Sequence, residues 1–115
     1  MRELYYYNAV VDRVVDGDTL DLTIDLGFNI WIKERVRLYG LDTPETRTKD
    51  AKEKEAGLKA KKYVENQVNS VAGQVQVLSL GRGKYGRTLA EIWVGKNNLN
   101  ELLISKGHAE IYMTD

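Results

Sequence analysis

Two carboxylates three positions apart, Asp42 and Glu45, flank the only proline of this 115-residue chain, Pro44. Proline fixes its own φ and disfavours the helical conformation for the residue before it, so the two carboxylates belong to a stiff turn. Arg37 lies five residues upstream, near the end of an alternating segment. The stretch suits a catalytic site at a strand end, and it equally suits a solvated loop.

A second acidic group, Asp16 and Asp18, surrounds Gly17. If the first hairpin and the strand end at Asp42 meet, their carboxylates could bind a hard cation such as Ca²⁺, which takes several oxygen ligands. The spacing does not match an EF-hand loop. An ordinary turn remains the alternative for Asp-Gly-Asp.

Arg37 and Arg87 are candidates for binding phosphate, with Arg35, Lys84 and Tyr85 nearby. The planar fork of arginine suits bidentate contacts to phosphate. Two arginines, a cation and a positioned carboxylate could hydrolyse a phosphodiester, because cation and arginines stabilise charge on the phosphoryl oxygens while the carboxylate orients or deprotonates water. Taken singly, each arginine could also be a solvent-facing strand residue.

The sole histidine, His108, is near the chain end, and we interpret it as structural or exposed. The segment 81–86 is rich in glycine but lacks the spacing of a phosphate-binding P-loop. Neither feature adds a second catalytic centre.

The composition is that of one globular domain, 1–115, with 43% hydrophobic and 30% charged residues. Cysteine is absent, which excludes disulfides. The net charge is zero, which argues against binding nucleic acid by bulk charge alone. Residues 1–45 carry 5 basic and 9 acidic side chains, however, and the remainder carries 12 and 8, so the two parts differ in sign.

The chain has no apolar run long enough to span a membrane. Its first residues lack the apolar core of a signal peptide. We therefore expect no membrane association. The compartment depends on whether Met1 is the native start, which implies the cytoplasm, or a signal has been removed, which implies secretion.

The hydrophobic pattern predicts three strands, then a helix, then two strands and a short C-terminal helix. The predicted strands are 5–15, 20–26, 30–39, 74–80 and 88–94, and the predicted long helix is 50–69. On that helix, Ala56, Ala60 and Val64 are expected to face the core. On the third strand, Ile30 and Ile32 are expected to share the buried face. Asn98 or Asn100 could cap the short helix.

This order of elements predicts an α+β, mainly β, protein with an OB-fold. That fold is a five-stranded Greek-key barrel, here with a helix between strands 3 and 4. A small SH3-like barrel is the competing architecture, and the position of the helix favours the OB-fold.

Three motifs, in this order and with similar gaps, resemble the staphylococcal nuclease (thermonuclease) family over nearly the whole chain. They are Val15-Asp16-Gly17-Asp18-Thr19, Arg37 with Asp42-Thr43-Pro44-Glu45-Thr46, and Lys84-Tyr85-Gly86-Arg87.

The resemblance implies an OB-fold nuclease that uses Ca²⁺ to hydrolyse DNA and RNA, leaving 3′-phosphate ends. It assigns metal binding to Asp18, Asp42 and the Thr43 carbonyl, with Asp16 just outside these ligands. Arg37 and Arg87 would grip the scissile phosphate, and Glu45 would position or activate water. Lys84 and Tyr85 would contact a terminal phosphate, and Tyr112 would pack on a base. The chain departs from the family pattern at Gly83, where an acidic residue is common, and Tyr112 is one position out of register.

We therefore expect a monomeric, Ca²⁺-dependent phosphodiesterase acting on single-stranded or frayed DNA and RNA. The alternative is a non-catalytic OB-fold module that binds nucleic acid or protein. Such modules commonly lose the aspartates, arginines or glutamate, all of which are present here. A purely structural barrel would leave both arginines unexplained.

Overall fold

The computed structural model describes residues 4–112, so three residues at each end of the predicted domain 1–115 lie outside the described residues. Five long strands and two helices are accompanied by a 3₁₀ turn and three two-residue strands. In chain order the elements are β1 (Tyr6–Asp16), β2 (Thr19–Asp25), β3 (Trp31–Leu38), β4 (Leu41–Asp42), α1 (Ala51–Asn69), β5 (Gln74–Arg82), the 3₁₀ turn (Lys84–Gly86), β6 (Thr88–Val94), β7 (Asn97–Asn98), α2 (Leu99–Ser105) and β8 (Glu110–Ile111).

The five long strands close into a barrel. β1 pairs antiparallel with both β2 and β5, β2 pairs with β3, and β5 pairs with β6. A short parallel ladder between β3 and β6, from Val36↔Thr88 to Leu38↔Ala90, joins the two ends of the sheet. The predicted mainly-β OB-fold, with a helix after the third strand, is confirmed.

The alternation in β2 fills the barrel as predicted, since Leu20, Leu22 and Ile24 are buried. The prediction for the start of the third strand was wrong: Ile30 and Ile32 are 53% and 38% exposed. β3 pairs with β6 only from Val36 onward, so its first half projects beyond the closed part of the barrel.

Helix α1 begins at a side-chain cap, in which the Asp50 carboxylate accepts hydrogen bonds from the Lys52 and Glu53 amides at 3.0 and 3.3 Å. Its buried face consists of Gly57, Ala60, Val64 and Val68. The prediction that Ala56 faces the core was wrong. Ala56 is exposed, because its neighbour Gly57 is the residue that meets the loop below the helix.

The two asparagines near α2 have different roles. Asn98 caps the helix by accepting from the Glu101 amide at 3.1 Å. Asn100 is buried, accepts from the Ile92 amide at 3.1 Å, and donates to the Tyr39 and Ala90 carbonyls at 2.9 and 3.2 Å. It thereby ties α2 to β6 and to the end of β3.

After α2 the chain returns to the barrel as β8, which pairs with β4. Within residues 4–112, no helix has the length and apolar character needed to cross a membrane.

Candidate active site

A cleft of about 650 Å³ opens where the turn after β1, the end of β3 and the turn before β6 meet. All but two of the predicted site residues line it. They are Asp16, Asp18, Arg37, Asp42, Thr43, Glu45, Arg87 and Tyr112. The other two, Lys84 and Tyr85, are exposed residues of the 3₁₀ turn and do not line the cleft, although the next residues, Gly86 and Arg87, do.

Arg37 connects the two acidic segments. Its guanidinium donates to Asp18 Oδ2 at 2.9 Å, to the Leu41 carbonyl at 3.1 Å and to Asp42 Oδ1 at 3.3 Å. The side chain of Arg37 is 12% exposed and that of Asp18 is 8% exposed, so this ion pair is well shielded from solvent. The antiparallel register that places Arg37 opposite Thr19 brings the two groups together.

Asp18 is buried and has further hydrogen-bond partners. Its carboxylate accepts from the Thr43 amide at 3.2 Å and from the Thr19 hydroxyl at 3.0 Å. The Asp18 carbonyl accepts from the Leu38 amide at 2.8 Å, which fastens the first hairpin to the end of β3. The carboxylate is therefore held in one orientation at the floor of the cleft.

Asp42 is the more exposed of the two carboxylates, and its side chain is 57% exposed. Partial burial raises the pKa of the Asp42 carboxyl above its ordinary value, and the nearby charge of Asp18 raises it further. The hydrogen bond from Arg37 acts in the opposite direction. Two neighbouring carboxylates create a negative potential suited to a cation.

The loop that carries Glu45 is attached at both sides. The Thr46 hydroxyl donates to Asp16 Oδ1 at 2.5 Å, and the Glu45 amide donates to Glu53 Oε2 of α1 at 3.2 Å. Glu45 itself is exposed and lines the cleft. Its main chain is thus fixed while its carboxylate remains accessible to water.

Gly17 lets the first hairpin turn approach both α1 and the acidic loop. A β-carbon at this position would lie 2.9 Å from Ala60 Cβ and 3.0 Å from Thr43 Cγ2. Thr43 is buried here, and its hydroxyl oxygen has no hydrogen-bond partner among residues 4–112. Close packing of the turn on the helix therefore sets the depth of Asp18 in the cleft.

The turn before β6 carries the second predicted phosphate ligand. Arg87 is exposed, and its guanidinium carbon lies 5.6 Å from the ring centroid of Tyr85, which is itself 89% exposed. Tyr85 has a positive φ of 61°, so the ring is directed by an uncommon backbone conformation.

Tyr112 lies over the Arg37 guanidinium, with 5.5 Å between Arg37 Cζ and the ring centroid. Its amide donates to the Gly40 carbonyl at 2.9 Å, immediately beyond the β4–β8 ladder. Tyr112 therefore contacts a site arginine, while its predicted contact with a base stays a prediction. His108 instead packs against Tyr63, with ring centroids 4.8 Å apart, and does not line the cleft.

Three residues that contribute to the site escaped the sequence analysis: Gly57, Glu34 and Arg82. A glycine inside a helical pattern is unfavourable by about 1 kcal/mol relative to alanine, so Gly57 carried a usable signal of close packing. Glu34 and Arg82 line the cleft and form an ion pair at 3.7 Å. They are distant in sequence, and no local pattern pairs them.

The acidic part of the cleft offers oxygen atoms, the ligands that hard cations prefer. Among the described residues, no group of three or more histidine, cysteine, aspartate or glutamate side chains is arranged to hold a metal ion. Asp18 and Asp42 supply two carboxylates, with the buried Thr43 adjacent. These donors fit a cation such as Ca²⁺, whose coordination can be completed by carbonyls and water.

Residues 35–115 match the family model for staphylococcal nuclease homologues. The chain is 34% identical over 100 residues to a thermonuclease of Staphylococcus intermedius, which covers 87% of this chain and 56% of that protein. It is 31% identical over 99 residues to a thermonuclease of Staphylococcus hyicus, covering 86% and 56%. It is also 33% identical over 108 residues to endonuclease YncB of Bacillus subtilis, covering 90% and 47%. The chain thus spans about half the length of these curated relatives.

Proposed function

Because this chain belongs to the staphylococcal nuclease family, as its three motifs predicted, we propose that it is a Ca²⁺-dependent nuclease that hydrolyses DNA and RNA and leaves 3′-phosphate ends. Its substrates are single-stranded or frayed nucleic acids, and it acts as a monomeric domain. The carrying observation is that one cleft is lined by two aspartates, two arginines and the exposed carboxylate of Glu45.

Each group has a proposed role. Asp18, Asp42 and the Thr43 carbonyl would hold a Ca²⁺ ion, which when bound would neutralise charge on the phosphoryl oxygens. Arg37 and Arg87 bind the same phosphate and stabilise its developing negative charge.

Glu45 orients the attacking water and accepts its proton. The water oxygen bonds to phosphorus and the bond from phosphorus to the 5′ oxygen breaks. That oxygen takes a proton from solvent and leaves as a hydroxyl, and Glu45 returns its own proton to solvent. Asp16 holds the Glu45 loop through Thr46. Lys84 and Tyr85 contact a terminal phosphate, and Tyr112 packs against a base as well as Arg37.

The test is digestion of single-stranded DNA by the wild-type protein with Ca²⁺, compared with EGTA and with a Glu45→Ser variant. We expect cleavage that requires Ca²⁺, falls steeply in the variant, and yields 3′-phosphate ends that resist 3′ labelling until treated with a phosphatase. If the folded wild-type protein binds the oligonucleotide and leaves it intact in Ca²⁺, the nuclease proposal is wrong. That result would instead support a binding module.

A further inference from the structure

Arg82, the last residue of β5, links two parts of the cleft. Its Nη1 donates to the Gly86 carbonyl at 3.1 Å, one residue before Arg87. Its Nη2 lies 3.7 Å from Oε1 of Glu34, on β3 three residues before Arg37. One side chain thus connects the turn that carries one predicted phosphate ligand with the strand that carries the other.

Main-chain hydrogen bonds hold the turn that carries Arg87, and the shortest of them runs from the Gly83 amide to the Arg87 carbonyl, at 2.8 Å. Residues 84–87 are all exposed, and Gly86 has a positive φ of 70°. The Gly86 and Arg87 amides each make a long hydrogen bond within the turn, at 3.3 Å. Pairing of Thr88 with Arg82 and Val36 attaches the residue after the turn. A contact at Gly86 therefore bears directly on the orientation of Arg87.

We propose that Arg82 is a positioning residue, which orients the 84–87 turn so that Arg87 meets the scissile phosphate correctly. This inference rests on the proposed nuclease function. A planar guanidinium can engage a carbonyl with one Nη group and a carboxylate with the other, a geometry that lysine and glutamine cannot reproduce. Arg82 is 65% exposed and lines the cleft, so direct binding of a phosphate is the competing role.

The two roles predict different effects of Glu34→Gln on kcat and on oligonucleotide binding. If Arg82 positions the turn, Glu34 holds the Arg82 side chain in place. Glu34→Gln should then lower kcat as Arg82→Gln does, but by a smaller factor. If Arg82 binds phosphate directly, Glu34 competes with the substrate, and Glu34→Gln should tighten binding. Tighter oligonucleotide binding with undiminished kcat would overturn the proposal.

For Arg82→Gln we expect kcat to fall about 10-fold with little change in KM, because small misplacements of a positioning group act on the transition state. The matched control is Arg13→Gln, which removes an exposed arginine of β1 that does not line the cleft. It should keep wild-type kcat, and both variants should keep the wild-type Tm. Wild-type kcat in Arg82→Gln would contradict the inference.

A double-mutant cycle with Arg87→Ala tests whether Arg82 acts through Arg87. If it does, Arg82→Gln should cost less than about 2-fold in kcat when Arg87 is already absent, because coupled residues are not additive. If Arg82→Gln lowers kcat by the same factor in Arg87→Ala as in the wild type, Arg82 acts independently of Arg87.

Backbone ¹⁵N relaxation of the metal-free protein gives a readout that needs no nuclease activity. The heteronuclear NOE of Gly86 and Arg87 should fall in Arg82→Gln and remain at the wild-type value in Arg13→Gln. Unchanged values in Arg82→Gln would overturn the link. If the turn loosens in Arg82→Gln but the wild-type protein cleaves no nucleic acid, the link between Arg82 and the turn stands and the nuclease function is rejected.

Discussion

Gly57 of α1 lies directly against the main chain of Glu45. A β-carbon at position 57 would stand 2.6 Å from the Glu45 carbonyl oxygen and 2.7 Å from that of Pro44. Real β-carbons essentially never come so near, and these obstacles are backbone atoms of the loop that carries the proposed water-activating carboxylate. The long helix thus positions Glu45 by its close approach, and the absence of a side chain at Gly57 permits that approach.

Gly57→Ala should therefore lower both stability and activity, although alanine is the better helix former. We expect the free energy of unfolding to fall by about 1–3 kcal/mol, as in other overpacked sites. The control is Ala56→Gly on the exposed face, which should cost about 1 kcal/mol through helix propensity and leave kcat unchanged. Urea denaturation and cleavage assays measure both. A more stable and fully active Gly57→Ala protein would refute the packing argument.

Asn100→Ala should destabilise the protein by about 2–3 kcal/mol, because it leaves a buried amide, a buried carbonyl and a partly buried carbonyl with fewer partners. These groups belong to Ile92, Ala90 and Tyr39. Denaturant titration provides the measurement. Asn97→Ala, at an exposed position of the neighbouring two-residue strand, is the control and should change stability by less than about 0.5 kcal/mol. Equal effects of the two substitutions would argue against the buried network.

Arg37→Lys should reduce kcat/KM by about 10²–10³-fold, the typical cost of removing one group that stabilises transition-state charge. Lysine preserves the charge, but a single ammonium cannot reach Asp18, Asp42 and the Leu41 carbonyl together. Steady-state cleavage of an oligonucleotide tests this, with Arg13→Lys as the matched replacement outside the cleft. Retention of wild-type kcat/KM by Arg37→Lys would remove Arg37 from the proposed mechanism.

Calcium should stabilise the wild-type protein by about 2.7 kcal/mol at 100 times its Kd, since it binds only the folded state. In Asp42→Asn this stabilisation should be lost. Without metal, the variant should be at least as stable as the wild type at pH 7, because the raised pKa of Asp42 means that its ionisation opposes folding. Thermal unfolding in Ca²⁺ and in EGTA measures both effects. Persistence of the full calcium shift in Asp42→Asn would contradict the ligand assignment.

Asp21 should make stability depend on acid pH. Arg35 donates to both Asp21 carboxylate oxygens, at 2.8 and 3.1 Å, and this holds the Asp21 pKa below its ordinary value of 3.8. The ion pair therefore stabilises the protein above that value, and its contribution is lost as pH falls through the lowered pKa. Asp21→Asn should be less stable than the wild type at pH 7 and equally stable at the lowest pH. Denaturation as a function of pH provides the test, and a difference that persists unchanged in strong acid would contradict it.

The strand order and eight of the residues that line the cleft could be predicted from sequence because their signals are local. Leu20, Leu22 and Ile24 alternate with polar residues and fill the barrel as that period requires. Ile30 and Ile32 also occupy alternate positions along the chain but lie partly exposed. The pattern within β3 does not show that its pairing with β6 starts only at Val36. The two candidate caps of α2 were locally equivalent, and only the packing against β6 separates buried Asn100 from the cap Asn98.

The barrel architecture, the family and most of the acidic and basic side chains that line the cleft could be predicted from the sequence alone. Three relationships are visible only in the folded chain: Arg37 joins Asp18 to Asp42, Gly57 sets the height of the Glu45 loop, and Arg82 reaches Gly86 and Glu34. Composition and periodicity report the preferences of neighbouring residues. Most of these contacts join elements far apart along the chain, and their distances depend on how closely those elements pack in the folded barrel.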